Sequence, residues 1–345
     1  MKNAVVTGGT GFIGGRLVDH LLSNGYKAKC LARKTSNTSS LVSLGADIVT
    51  GDLGDLESLG RLPEGGDVLF HLAALVTDWG PRDEFFRYNV DATRTLLDAS
   101  IEAGVKRFVH MSSSTVVWRS DFNDVHNLVD IDETHPYPTS YNDNYNASKA
   151  EAEKLVLAYN NKGIETVVVR PSNVWGAGDT VILPRMARAA VKGVLHPMGK
   201  GSGTVSPCHV DNLARALILC AEIEQAPGNI YFINDGITST FIDFTKKQLD
   251  AAGIQWEPGF RIPYKVGYAA AAILEALYRA FGSKKPPVLT RMAVAVLAGS
   301  RSYSIAKAKD ELGYEPDTDI DRGMREIREW VAKIGGIDAL LEYAK

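Results

Sequence analysis

Tyr145 and Lys149 stand four residues apart in the run Tyr145-Asn146-Ala147-Ser148-Lys149, a spacing that puts both side chains on one helix face. An ordinary phenol titrates near pH 10, so at neutral pH it gives up a proton reluctantly and accepts one hardly at all. A lysine charge close by favours the phenolate and brings the group toward neutrality. Such a pair can pass a proton to a carbonyl or take one from an alcohol. Spacing alone is weak evidence, because 13 tyrosines in a chain of ordinary lysine content give about one such pair by chance. A second pair, Tyr303 and Lys307, does occur and reads as a coincidence on a helix surface. The first pair has company. Ser112-Ser113-Ser114 closes a predicted strand, with Ser114 the expected donor on the oxyanion side. Standing alone, serines there could simply cap the next turn.

These groups need a scaffold, and the order of apolar runs supplies one. Period-two or continuous apolar stretches predict strands at 3–7, 28–32, 46–50, 67–71, 107–111, 165–170 and 229–233. Helical spacing predicts helices at 12–23, 84–103, 145–160 and 210–222. Strands alternating with helices imply right-handed crossovers and a parallel sheet covered on both faces. After Arg170-Pro171 the alternation breaks, and most of the remaining chain reads as helix.

The first turn is rich in glycine. Thr7-Gly8-Gly9-Thr10-Gly11-Phe12-Ile13-Gly14 lies between the first strand and the first helix. Gly8 permits the tight turn, Gly11 lets backbone approach a pyrophosphate, and Gly14 lets helix pack on strand. The helix start offers free N–H groups and partial positive charge to phosphates, with Thr10, Phe12 and Ile13 beside them. A glycine cluster elsewhere is usually just a turn; in this context it predicts a dinucleotide site. The second strand ends Leu31-Ala32-Arg33-Lys34, without the carboxylate that would bind the ribose of NAD and repel a 2′-phosphate. Arg33 and Lys34 therefore favour NADP(H), with NAD(H) possible through backbone contacts. The fold class is α/β, a doubly wound parallel sheet of the Rossmann type with a smaller, discontinuous, mainly helical C-terminal substrate lobe. Residues 1–171 and 209–233 are assigned to the dinucleotide-binding domain, 172–208 and 234–345 to the lobe.

Bulk properties narrow the function. The 345 residues carry a net charge of −3, which offers no basic field for nucleic acid. Cys30, Cys208 and Cys220 are too few and too scattered for a disulfide framework or a zinc site, which suits a reducing cytoplasm. The seven histidines show no ligand spacing, so no metal is expected. Met1-Lys2-Asn3 runs at once into the first strand, so no export signal is expected. The longest apolar stretch, 266–281, is interrupted by Glu275 and Arg279 and is too short to span a bilayer, leaving peripheral membrane contact open.

These motifs resemble the extended short-chain dehydrogenases/reductases of the NAD-dependent epimerase/dehydratase superfamily. Within it they are most similar to the 3β-hydroxysteroid dehydrogenase/sterol dehydrogenase-like group. Besides the glycine turn, serine run and Tyr145 with Lys149, the likeness rests on Gly51-Asp52-Leu53, His71-Leu72-Ala73-Ala74, Asp78-Trp79-Gly80-Pro81 and Asn89-Val90. It continues through Arg170-Pro171-Ser172-Asn173-Val174-Trp175-Gly176, His209-Val210-Asp211-Asn212, Tyr231 to Gly236, and Tyr303-Ser304-Ile305 with Glu311 to Pro316. The resemblance implies that Asp52 and Leu53 lie by an adenine, and Leu72, Ala73 and Ala74 beside the cofactor. It implies that Lys149 also binds the nicotinamide ribose, and that Pro171, Asn173 and Val174 line the nicotinamide pocket. Ser114 matches the family's active serine in place, while Trp118 and Arg119 replace a frequent Tyr-Gly. Homodimerisation through helices 84–103 and 145–160 is implied in the same way.

Three functions are compatible with this set: an alcohol/ketone oxidoreductase for a bulky apolar molecule, a nucleotide-sugar 4-epimerase, and a non-catalytic NAD(P) sensor. Sugar-nucleotide enzymes of this resemblance carry an Arg-Asp-Phe run whose arginine binds the substrate diphosphate; here it reads Ser206-Pro207-Cys208. Thr115-Val116-Val117 lacks the Asp-Glu pair that dehydration needs. Retention of Ser114, Tyr145 and Lys149 together argues against a sensor. The apolar residues of 262–281 and 287–299, among them Tyr264, Val266, Tyr268, Ile273, Leu277, Val288, Leu289, Met292, Val294 and Leu297, either wall a hydrophobic substrate pocket or form the lobe's own core.

Overall fold

Alternation of side chains along the first strand already defines two layers: Ala4 and Val6 enter one apolar core, Val5 the other. The computed structural model describes residues 2–119, 121–199, 203–283 and 285–343. Its strands are β1 (Asn3–Thr7), β2 (Lys27–Ala32), β3 (Asp47–Thr50), β4 (Val68–His71), β5 (Arg107–Met111), β6 (Leu128–Ile131) and β7 (Glu165–Pro171). Next come β8 (Asn173–Trp175), β9 (Thr204–Val205), β10 (Pro207–His209), β11 (Ile230–Ile233), β12 (Ser239–Thr240) and β13 (Arg301–Tyr303).

Seven of them form one sheet in the order β11-β7-β5-β4-β1-β2-β3, every neighbour parallel. The chain leaves β3 at one edge and re-enters at β4 on the far side of β1. That reversal opens a crevice between the ends of β1 and β4, where such sheets bind ligands. Helices Phe12–Ser23 and Val210–Glu222 cover one face through Leu17, Leu21, Leu213 and Leu217. Helices Ala92–Glu102 and Asn144–Tyr159 cover the other through Leu96, Leu97 and Val156.

The second lobe has its own cores. Helices Ile182–Val191, Phe241–Ala251 and Ile320–Ile334 pack around Trp175, Phe244 and Ile327. Helices Tyr264–Ala280 and Arg291–Ala298 meet Met198 over Tyr268, Ala271 and Val294. Two expectations change. The helix predicted over 84–103 is Arg82–Phe86, a π turn at Arg87–Asp91, and Ala92–Glu102. The lobe predicted from 234 onward gives up part of its length: Ile305, Ala308, Leu312 and Tyr314 pack into the sheet's core, and β13 pairs with β6 from the first segment. Helix Ala306–Leu312 does this because its apolar face fits against β11. The outermost predicted residues, Met1 and 344–345, lie outside the described ones.

Helix Asn144–Tyr159 is fastened at two points. Asp143 caps it, its carboxylate accepting from Asn146 N at 2.7 Å. Two turns on, Glu153 meets Arg170 of β7, Nη2 to Oε1 2.5 Å, with both side chains almost wholly buried. The Tyr137 hydroxyl donates to the same carboxylate at 2.5 Å, and the Tyr137 and Phe232 rings flank the guanidinium. Removing one member strands the other charge in a dry interior. Glu153→Ala is expected to cost about 3–5 kcal/mol in urea denaturation. A loss below about 1 kcal/mol would show that the helix docks without the pair.

Candidate active site

Gly8 has φ of 78°, and a Cβ there would lie 2.9 Å from Ala73 N, so the glycine turn and the exit of β4 pack backbone to backbone. A Cβ on Gly14 would overlap Gly8 O, which closes the same cradle from the helix side. Gly11 N donates to Gly8 O at 3.0 Å and Gly11 caps helix Phe12–Ser23 without any side-chain cap, leaving the first-turn amides of Phe12 and Ile13 open. Thr10 and Gly11 are exposed at the mouth. A dinucleotide pyrophosphate fits these features: small residues allow close approach and an uncapped helix start supplies donors.

The remaining predicted contacts lie along the same edge of the sheet. Ala73 N donates to Thr7 Oγ1 at 3.2 Å, setting Leu72, Ala73 and Ala74 beside the glycine turn. Arg33 and Lys34 are exposed just past β2, and among the described residues neither joins an ion pair. Asp52 turns its carboxylate onto Gly54 N at 2.7 Å, next to buried Leu53. Pro171 closes β7, with Asn173 and Val174 half-buried in β8.

Lys149 is buried, its Nζ donating to Met111 O at 2.7 Å with His110 Nε2 at 3.5 Å. Burial lowers its pKa to about 8, against the pull of Glu153. Tyr145 is pushed up to about 12, again by burial and further by the Asp143 carboxylate, with Ser113 alone acting in the other direction. The sequence expectation that Lys149 holds Tyr145 low is therefore corrected: its ammonium is engaged by Met111 O, and desolvation of the phenolate dominates.

The serine run also divides unexpectedly. Ser113 is the serine that acts on the Tyr145 phenol, easing its rise, while its Oγ accepts from Thr115 N at 3.2 Å. Ser114 is buried, and Tyr303, raised by burial, is eased by it. Tyr303 is thus no helix-surface coincidence. It is a buried strand residue, stacked on Phe232 with ring centres 4.7 Å apart, and its hydroxyl accepts from Trp118 Nε1 at 2.5 Å. Lys307 points elsewhere, to Asn229 Oδ1 at 2.9 Å.

Asn89, in the π turn, belongs to a motif of the family resemblance, but the sequence assigns it no role. Its Oδ1 accepts from Leu75 N at 2.7 Å and its Nδ2 donates to Ser148 Oγ at 2.9 Å, joining the exit of β4 to the Tyr145 helix. Its signal in the sequence is the Asn89-Val90 motif of the resemblance. Behind it His71 bridges Thr7 Oγ1 at 2.8 Å and Thr93 Oγ1 at 2.9 Å, held neutral by burial with a pKa of about 3.

A cavity of about 650 Å³ opens beside Asn144 and Asn146, which bracket Tyr145. Its walls include Trp79, Phe85, Trp118 and Met292, but also Asp78, Asp143, Glu275 and four arginines. Of the two readings open for the apolar residues of 262–299, the lobe's own core accounts for most of the buried ones, and Met292 and Ala295 border the cavity. Tyr268, Leu289, Val294 and Leu297 pack in a core with Tyr264, whereas Val266, Ile273, Leu277 and Val288 face solvent. Burial raises Asp143 to about 6. Elsewhere His209, Asp211 and Glu326 approach one another, but Arg16 and Arg322 already occupy the two carboxylates. Among the described residues no helix is long and apolar enough to cross a membrane.

Against known proteins, the profile of the 3-beta hydroxysteroid dehydrogenase/isomerase family matches residues 5–263. A ketoreductase of Stigmatella aurantiaca that acts on 4-hydroxy-2-methyl-3-oxo-4-farnesyl-3,4-dihydroquinoline-1-oxide is 36% identical, covering 94% of this chain and 95% of its own. A 3 beta-hydroxysteroid dehydrogenase/Delta 5→4-isomerase of Mycobacterium tuberculosis is 34% identical over 92% and 86%. The crystal structure of DesIV, a dTDP-glucose 4,6-dehydratase from Streptomyces venezuelae with NAD bound, superposes with a TM-score of 0.74 at 25% identity, over 96% and 97% of the chains.

Buried Lys149 carries a measurable cost. With its folded pKa lowered from 10.5 to about 8, the native chain binds fewer protons than the unfolded one between those values. The penalty is full below pH about 8 and fades toward 10.5. Lys149→Met is therefore expected to melt above the wild type at pH 7, the gap narrowing as pH rises. A variant that melts lower throughout would mean the ammonium stabilises the fold.

Proposed function

The chain belongs to the 3-beta hydroxysteroid dehydrogenase/isomerase family, among the extended short-chain dehydrogenases/reductases, and from that premise we propose that it interconverts a secondary alcohol and a ketone. It is a nicotinamide-dependent oxidoreductase acting on a bulky, largely apolar small molecule. The observation that supports this reading is that Tyr145 and Lys149 lie one turn apart on a helix whose first turn borders the cavity through Asn144 and Asn146 and which Asn89 ties to the exit of β4 beside the glycine turn.

The nicotinamide dinucleotide, when bound, supplies the hydride donor or acceptor. Gly8, Gly11, Gly14 and the open first turn would hold its pyrophosphate, with Leu72 to Ala74, Pro171, Asn173 and Val174 around the reactive end. Tyr145 donates to the carbonyl oxygen in reduction and receives the proton in oxidation. The neighbouring serines steady the oxygen, Ser114 by its matched position and Ser113 by its contact with Tyr145. The epimerase reading lacks support, because Ser206 and Cys208 are buried where a diphosphate would need a guanidinium. Arg33 and Lys34, exposed and free of carboxylate partners among the described residues, favour NADP(H).

Tyr145→Phe is expected to lower kcat by about a hundredfold or more while the dinucleotide dissociation constant stays within about twofold. Undiminished turnover would remove the tyrosine from the chemistry. Ser113→Ala is expected to cost at least as much kcat as Ser114→Ala; the reverse order returns the hydroxyl role to Ser114 alone. Steady-state kinetics with both cofactors should show a lower KM for NADPH, and Arg33→Ala with Lys34→Ala should erase the difference by about tenfold. An NADH preference that survives the double variant would exclude both residues from the site.

A further inference from the structure

Four arginines border the cavity, and their partners differ. Arg279 and Arg291 clamp Glu275 at 3.1 and 2.8 Å, and exposed Arg119 reaches Asp121 at 3.8 Å. Arg301 has no carboxylate within 4.0 Å among the described residues, yet only 4% of it is exposed. Two of its five N–H groups are used, Nη1 on Ser300 O at 3.1 Å and Nη2 on Val125 O at 3.2 Å. Among the described residues its buried Nε has no hydrogen-bond partner. Asp124 contributes only a more distant attraction, and burial acts against the charge.

An uncompensated buried guanidinium is costly, and nothing in the local packing requires one. Its position is nonetheless organised. Trp118, which replaces a frequent tyrosine, lies under the guanidinium at 4.6 Å and is itself fixed by the Tyr303 hydroxyl. Gly299 leaves the room it needs, since a Cβ there would collide with the guanidinium. The remaining donors form a planar fork of the kind that receives a carboxylate.

We propose that Arg301 is a specificity residue that binds a carboxylate carried by the substrate, so that the molecule taken by this cavity is a long-chain or polycyclic hydroxy or keto acid. This rests on the oxidoreductase reading only in taking the cavity beside Tyr145 as the substrate's. The substrate then lies with its acid group at Arg301 and Trp118, its secondary alcohol or ketone toward Tyr145, and its apolar part along Trp79, Phe85 and Met292. The guanidinium stays unpaired in the free protein because its counterion arrives with the ligand.

The test is binding, which needs no turnover. A long-chain 2-alkyl-3-hydroxy acid and its methyl ester are titrated calorimetrically into the wild type, Arg301→Met and Arg301→Lys. The acid is expected to bind the wild type at least about tenfold more tightly than the ester. Arg301→Met should erase that margin by weakening the acid alone and should melt no lower than the wild type, because an unpaired buried charge is removed. Arg301→Lys, which keeps the charge and loses the fork, should fall between them, and it decides the matter if the methionine variant does not fold. Equal binding of acid and ester by the wild type, no binding of either, or equal weakening of both in the variants would overturn the assignment. Turnover of Tyr145→Phe tests the oxidoreductase reading separately, so the two can fail independently.

Discussion

Everything chemical in this chain depends on holding a polar helix against a sheet. Helix Asn144–Tyr159 buries Asn146, Ser148, Lys149 and Glu153, residues that offer little hydrophobic driving force. Arg170 of β7 supplies the missing attraction, bonded to Glu153 at 2.5 Å and enclosed by Tyr137 and Phe232. A buried pair of this sort is a poor source of net stability, since well-packed apolar residues would do as well. Its contribution is position: one face, one register and one depth for Tyr145 and Lys149. The same carboxylate also favours the charged form of Lys149, so anchor and chemistry share a group.

The second constraint runs across the switch point. Asn89 holds the exit of β4 through Leu75 and the catalytic helix through Ser148. Asn89 is placed for this by a π turn, an irregularity that inserts one residue into a helix and is common at functional sites. Thr7, His71 and Thr93 continue the network under the glycine turn. The glycine turn and the Tyr145 helix are therefore joined by one connected set of hydrogen bonds. That arrangement suits hydride transfer, in which small displacements of the reacting atoms are expensive.

The sequence is legible as far as its signals are local. Strand, turn and helix at the N-terminus are local, and the pattern from Thr7 to Gly14 carries its own explanation in backbone approach. The alternation of elements settles the parallel sheet, because crossover handedness leaves few other arrangements. Side-chain direction within Ser112-Ser113-Ser114 is another matter. Ser114 opens a short 3-10 turn and acts on Tyr303, which comes from a three-residue strand too brief for any period to show. The cavity wall escapes sequence reading for a similar reason. Apolar periodicity marks a face that is covered, but it does not say whether a ligand, a neighbouring helix or nothing covers it; Tyr268 packs in a core while Val288 faces water.

Burial sets the protonation state of Tyr145. A phenol raised to about 12 is neutral throughout the physiological range. It can donate to an oxygen that gains charge as a ketone accepts hydride, and donation relieves no desolvated anion before the reaction begins. Oxidation asks the same group to accept a proton, which requires a phenolate, and that in turn requires positive charge close to it. Lys149 is the buried source on the same helix face, but its ammonium is tied to Met111 O at 2.7 Å and its own pKa is lowered to about 8. Glu153 favours the charge on that ammonium from the next turn of the helix, so the group that docks the helix also acts on Lys149.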